Sequence, residues 1–248
     1  MLTAHSLRDL QLLDEASFRH VGLWTTLRAF VERDDQRFWV AEGASWDHAS
    51  VLNLVAWGGS ADVLTEKAIP ADVVMHAAWH RAARSALGAA AGTVSGLLVA
   101  ESIASAFDVY LVGRLLGHAP DSDFLATQVP RLTDAALEAG LAEDEVEELF
   151  ETMADDPEAA FAELRAVLGD VSLALARAVT PQEAHAALLL AAGRPMGAFL
   201  HHFELPAWVL YARAHGTGEE TAAAALHQAL SELPDPLGWL EEHWLGAK

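Results

Sequence analysis

Residues 71–88 read ADVVMHAAWHRAARSALG, residues 89–92 read AAAG, and residues 93–117 read TVSGLLVAESIASAFDVYLVGRLLG. The last segment is apolar almost all round. Such a segment is the pattern of a helix buried in a protein interior. It nevertheless carries Glu101 and Asp108. Carboxylates in such surroundings are costly unless they are paired, protonated or bound to a metal. The first segment supplies His76 and His80, an i,i+4 pair that shares one helix face. With a turn at Gly88 to Gly92 the two segments pack as an antiparallel hairpin, and residues whose numbers sum to about 181 lie level. His80 is then level with Glu101. His76 is level with Ser105, between Glu101 and Asp108. Were Gly88, Gly92 and Gly96 part of one continuous helix, this register would fail.

The register separates two roles. Glu101 and Asp108 are nearly two helical turns apart, roughly 10.5 Å along the axis, so they do not share one ion without distortion. One ion would take His80, Glu101 and His76. Asp108 would orient a ligand from behind, act as acid or base, or belong to a second site. The competing expectation is a structural cluster in which Glu101 and Asp108 pair with His76, His80, Arg81 or Arg84.

Outward from this stretch the chain reads as helices. Val21 to Val31 places Leu23, Trp24, Leu27 and Phe30 at helical spacing, and Leu7 to Phe18 fits the same period. The run at Gln36 to Val40 (QRFWV) is the one strand-like segment; with no partner strand visible it reads as a turn into the next helix. Ser45 or Asp47 caps a helix through Val51, Leu54 and Val55 to Gly58-Gly59, and Ser60 caps a short helix to Lys67. Pro70 starts the histidine helix.

Beyond Gly117, a helix capped by Asp121, Ser122 or Asp123 runs past Pro130 to near Gly140, with an interruption expected at the proline. Ala142 to Met153 is acidic and amphipathic. Asp156-Pro157 opens a helix ending at Gly169, followed by a short one over Asp170 to Val179. Thr180-Pro181-Gln182-Glu183 is a capping box with Pro at its first position, and its helix runs to Gly193. Leu205 to His215 and Glu219 to Leu233 are the last long helices, before a Trp-containing tail. The expected fold is all-α, an irregular bundle of antiparallel helix pairs in one compact domain, with a lobe boundary near 118–142.

Composition narrows the function classes. Hydrophobic residues are 52% of 248, enough for a sizeable core. There are 36 acidic against 15 basic residues, a net charge of −21. Such a surface repels nucleic acid and anionic membranes and suits a basic protein partner. There is no Cys, so disulfides, zinc–thiolate sites and thiol chemistry are excluded. The uncharged run Ser85 to Ala100 is 16 residues, rich in Gly, Ala, Ser and Thr, which is short for a membrane span. Residues 1–18 lack a basic segment followed by an apolar one, so a cytoplasmic protein is expected.

Other motifs are weaker. His201, His202 and Glu204 stand before Pro206 at a helix end, where either histidine would complete a site begun by His76, His80 and Glu101, or simply face the helix dipole. Neither Glu-x-x-His on two helices nor His-Glu-x-x-His is present. Gly43-Ala-Ser45 lacks the strand and final Gly of a nucleophile elbow. Gly216-Thr-Gly218 is a turn rather than a phosphate loop, and nothing points to a nucleotide or organic cofactor. Two functions remain: an iron or zinc enzyme acting on a small, largely apolar substrate, or a non-catalytic acidic protein that engages a basic partner.

Overall fold

The computed structural model describes residues 1–33, 36–45, 52–53, 63–218 and 221–246. Helix accounts for 73% of it, with few and short strands, as the sequence predicts. In chain order the elements are β1 (Leu2–Ser6), β2 (Gln11–Leu13), α1 (Glu15–Phe18), α2 (Trp24–Arg33), β3 (Arg37–Ala41), β4 (Val63–Leu64), β5 (Ala68–Pro70), α3 (Ala71–Leu87) and α4 (Val94–Leu116). There follow α5 (Asp123–Glu138), α6 (Glu143–Asp155), α7 (Pro157–Arg177), α8 (Pro181–Leu188), α9 (Leu205–His215), α10 (Thr221–Glu232) and α11 (Pro236–Leu240). Short 3-10 segments and a π-helical turn, Glu241–Leu245, complete the elements among the described residues.

α4 is the axis of the fold. It packs most extensively on α7 and then on α3, and α5, α6, α9 and α10 also rest against it. Of its 23 residues, 18 are buried. Its length and mean hydropathy would suffice to cross a membrane, but 89% of its apolar window is buried inside the protein, the pattern of a core helix. Gly113 lets the end of α6 and the start of α7 approach, since a Cβ there would run into the Met153 carbonyl and crowd Pro157. One hydrophobic cluster extends from Leu7 to Leu245, and the 118–142 stretch contributes Phe124, Leu125, Leu132 and Ala136 to it.

The hairpin turn follows from three residues. Gly88 ends α3 with φ +54°, a left-handed conformation that costs glycine little. Thr93 then caps α4: its hydroxyl donates to the Ala90 carbonyl (2.8 Å) and accepts from the Gly96 amide (3.0 Å). Gly96 slides under that same carbonyl, where a Cβ would not fit. The glycines therefore make a turn, not a continuous helix.

Other helix ends obey their caps. Ser122 accepts from Leu125 N, and Asp156 from Ala159 N with Pro157 at the first position. Thr180 and Glu183 form the expected reciprocal box. α5 runs through Pro130 without a break. α7 passes through Gly169 as one helix, because that glycine makes room for the His227 ring rather than ending the element. α8 is shorter than expected, closing through a 3-10 turn at Leu189–Ala191.

The N-terminal quarter departs from the helical reading. Leu2–Ser6 pairs antiparallel with Arg37–Ala41, in register Leu2 with Ala41 and Ser6 with Arg37, and β4 adds parallel to β3. β2 pairs parallel with β5. Residues 7–18 are thus a 3-10 turn, a strand and one helical turn, not a helix. QRFWV is mostly strand, with Phe38 and Val40 buried and Trp39 facing out. Val63–Leu64 and Ala68–Pro70 replace the expected short helix to Lys67. The helix expected through Val51, Leu54, Val55 and Gly58-Gly59, its candidate cap Asp47, and the Ser60 cap of the short helix all lie outside the described residues apart from 52–53, which are helical.

Candidate functional site

α3 is anchored by Val74, Met75, Ala78, Trp79 and Ala82, all with no exposed surface. Burying that face turns the His76/His80 face toward the boundary between core and solvent, where each imidazole is about a quarter exposed (27% and 26%). Across the hairpin α4 presents Glu101, only 9% exposed at its side chain, and Asp108, 31% exposed.

The distances follow the register read from the sequence. His80 Nε2 lies 3.1 Å from Glu101 Oε2. His76 reaches both acids: Nδ1 is 2.9 Å from Asp108 Oδ2 and Nε2 is 3.9 Å from Glu101 Oε1. The two Nε2 atoms stand 3.1 Å apart. A carboxylate only accepts, so the His76 Nδ1–H donates to Asp108. With that proton fixed, the neutral imidazole turns a lone pair at Nε2 toward His80 and Glu101.

Donor atoms of His76, His80 and Glu101 all lie within 4.8 Å of one another. A tetrahedral ion with bonds of about 2.0–2.1 Å sets its donors about 3.3 Å apart. His80 Nε2 is close to that spacing from His76 Nε2 and from Glu101 Oε2, both at 3.1 Å; His76 Nε2 is 3.9 Å from the other Glu101 oxygen, so a single carboxylate oxygen shared by both rings requires a small turn of the Glu101 side chain. Two imidazoles and one carboxylate make a mixed nitrogen and oxygen donor set that could hold a metal ion, unlike the all-oxygen sets that calcium and magnesium favour. The carboxylate behind a ligating imidazole, here Asp108, is the usual companion of such a site.

Two further residues belong to this cluster, and the sequence reading missed both as functional groups. Ser105, buried on α4, donates to Glu101 Oε1 at 3.3 Å and steadies that carboxylate. Asp72, one turn before His76, is raised to about 6 by burial and, second, by the charge of Asp108. The i,i+4,i+8 spacing of Asp72, His76 and His80 was the available signal for the second.

His201 and His202 end a 3-10 stretch, Pro195–His202, that packs on α5 and α7. Neither joins the group of three donors. His201 is exposed. His202 is partly buried against Phe203, and burial lowers its pKa, helped by the Arg131 charge and opposed by that of Asp108. Glu204 is also exposed, at the start of α9.

No protein-family model, no curated protein and no solved structure matches this chain. The functional reading rests on the geometry of the site.

Proposed function

We propose that this protein is a metal-dependent enzyme whose iron or zinc ion is held by His76, His80 and Glu101. The observation that carries this is the convergence of three donor groups within 4.8 Å, with Asp108 on the far nitrogen of one of them. A cluster serving only to neutralise Glu101 would not need two imidazole nitrogens turned to the same point.

With iron the chemistry would be oxidative, since two histidines and a carboxylate leave positions for dioxygen and substrate. With zinc it would be hydrolytic, through a bound water of lowered pKa. Asp108 holds His76 in the neutral tautomer that binds metal and is the group placed to take up or return a proton. The apolar character of α4 around both acids favours a small, largely apolar substrate. His201 or His202 would add a donor only after movement of the Pro195–His202 segment; His202, within reach of the Asp108 charge, is the better placed.

A second reading has its own support. Glu143, Asp144, Glu145, Glu147, Glu148 and Glu151 all lie exposed on α6 and would present a basic protein partner with a continuous acidic face. The double variant His76→Ala/His80→Ala separates the two. It abolishes metal binding and turnover if the enzyme reading is right, while leaving capture of a basic protein intact. A folded double variant that keeps its metal overturns the enzyme reading.

A further inference from the structure

Between α7 and α10 the interior holds a second polar cluster. Arg165, on α7, is 1% exposed. Its Nη1 donates to His227 Nδ1 (3.1 Å), and its Nη2 to Ser231 Oγ (2.9 Å), whose hydroxyl donates to the His227 carbonyl (2.9 Å). His227 Nε2–H donates to Asp170 Oδ1 at 2.8 Å. The other Asp170 oxygen accepts from Arg194 Nη1 (2.9 Å), and Arg194 Nη2 donates to the Glu163 carbonyl (3.3 Å). The ring fits only because residue 169 is glycine; a Cβ there would overlap its Cε1 and Nδ1.

This arrangement requires a neutral ring. Nδ1 must accept from a guanidinium, and a protonated imidazole has no acceptor. Arg165 is already strained by its setting: burial pushes its guanidinium down to about 10. Its Nε has no partner among the described residues. A second cation about 3 Å away, in a medium of low dielectric, has no solvent to screen it. Asp170, hydrogen-bonded to the other ring nitrogen, opposes part of this repulsion. Burial opposes its ionisation, but the bonds from His227 and Arg194 keep its pKa below the usual value. Its charge is divided between His227 and Arg194 and is 40% exposed, and it does not replace the acceptor that Nδ1 loses on protonation.

We propose that His227 is a pH-sensitive latch, locking α10 to α7 while neutral and releasing α10 when protonated. Histidine is the side chain whose ordinary charge change falls between about pH 5 and 8. The charged groups facing it are Arg165 and Asp170 from α7 and Arg194, with Glu163 behind Arg194. Of the other elements against α10, the Gly88–Gly92 turn has no titratable side chain, and α4 carries Glu101, Asp108 and Arg114 further along. The chain before α10 is tied to that turn, Thr217 N donating to the Gly92 carbonyl at 2.8 Å. Release therefore begins within 221–232 and runs up to this tie.

The test is amide hydrogen exchange of residues 221–232 in the full-length protein at about pH 7.5 and about pH 5, corrected for intrinsic rates. The comparison is with His227→Gln, whose amide accepts from Arg165 and donates to Asp170 but takes no proton. In the wild type, protection of 221–232 should fall by about ten-fold or more at the lower pH, while 94–116 keeps its protection. In His227→Gln the fall should vanish. Equal protection of the wild type at both pH values, or the same loss in the glutamine variant, overturns the latch. If the variant does not fold, the His227 ring resonance of the wild type is titrated instead. Its midpoint must coincide with that of the exchange change, and a separation of the two overturns the proposal.

Discussion

Asp108 Oδ2 sits 2.9 Å from His76 Nδ1, so the outer nitrogen of that ring is occupied and the inner one faces His80 and Glu101. The carboxylate acts on the site through the ring. Asp108→Asn should keep the fold, since the residue is on a partly exposed face, but weaken metal binding by about 10–100-fold. Competition with a chromophoric chelator measures this. An unchanged affinity would mean that the tautomer of His76 is set by something else.

Glu101 is the buried donor. Glu101→Gln has the same shape and leaves the metal-free protein within about 1 kcal/mol of wild type, because the amide keeps a hydrogen-bonding group in place and the partly exposed imidazoles facing it can give up a proton rather than stay as orphan charges. Excess zinc should raise the melting temperature of the wild type by roughly 5–10 °C at about 100 times Kd. The variant should not respond. A thermal shift of equal size in both proteins would place the ion elsewhere.

Asp72 gives a pH-dependent prediction for the metal-free protein. Its folded-state value is about 6 against an ordinary 3.8, because of burial first and the Asp108 charge second. Between these values the unfolded chain has released the proton and the folded chain holds it. Stability therefore falls as pH rises through that window, and the cost is fully present above it. Asp72→Asn should gain on the order of 1–3 kcal/mol at about pH 7.5, and the gain should shrink toward zero as pH drops to about 4. Urea unfolding at three pH values checks it. A pH-independent effect, or a loss at neutral pH, would contradict this account of Asp72.

Gly96→Ala tests the register of the hairpin. The new Cβ meets the Ala90 carbonyl, which Thr93 also holds, so the turn has to shift. The expected cost is about 1–3 kcal/mol, with weaker metal binding because His80 and Glu101 come out of level. Ser95→Ala, one residue away and also buried, adds no atoms and should leave zinc affinity within about two-fold if register is what matters. Equal loss of affinity in both would show general destabilisation instead.

Much of the site was legible because a helical hairpin is close to arithmetic. Once Gly88 and Gly92 mark the turn, the level pairing of His80 with Glu101, and of His76 between the two acids, follows from 1.5 Å per residue. Ser105 and Asp72 were harder. A serine on an apolar helix usually bonds its own backbone, and the shifted carboxyl of Asp72 depends on burial in the folded chain and then on Asp108, 36 residues away in sequence.

The N-terminal sheets were illegible for a different reason. β1 and β3 are each five residues long, and their pairing is decided by a partner more than thirty residues distant. Leu7, Leu10 and Leu13 match a helical period, yet Leu7 and Leu10 are buried from a 3-10 turn and its end. Gly169 misled in the same way. A glycine near the end of an apolar run reads as a stop, and only the long-range contact with His227 explains why the helix continues through it.

The central claim is that His76, His80 and Glu101 hold a metal ion. Inductively coupled plasma mass spectrometry on untagged protein, purified without added metal and then incubated with Fe(II) or Zn(II), tests it most directly. The account predicts near-stoichiometric iron or zinc in the wild type and its loss in His80→Ala. A blank in the wild type after both incubations, or metal retained by His80→Ala, would contradict it and leave these residues as an ion-pair cluster on the face of a core hairpin.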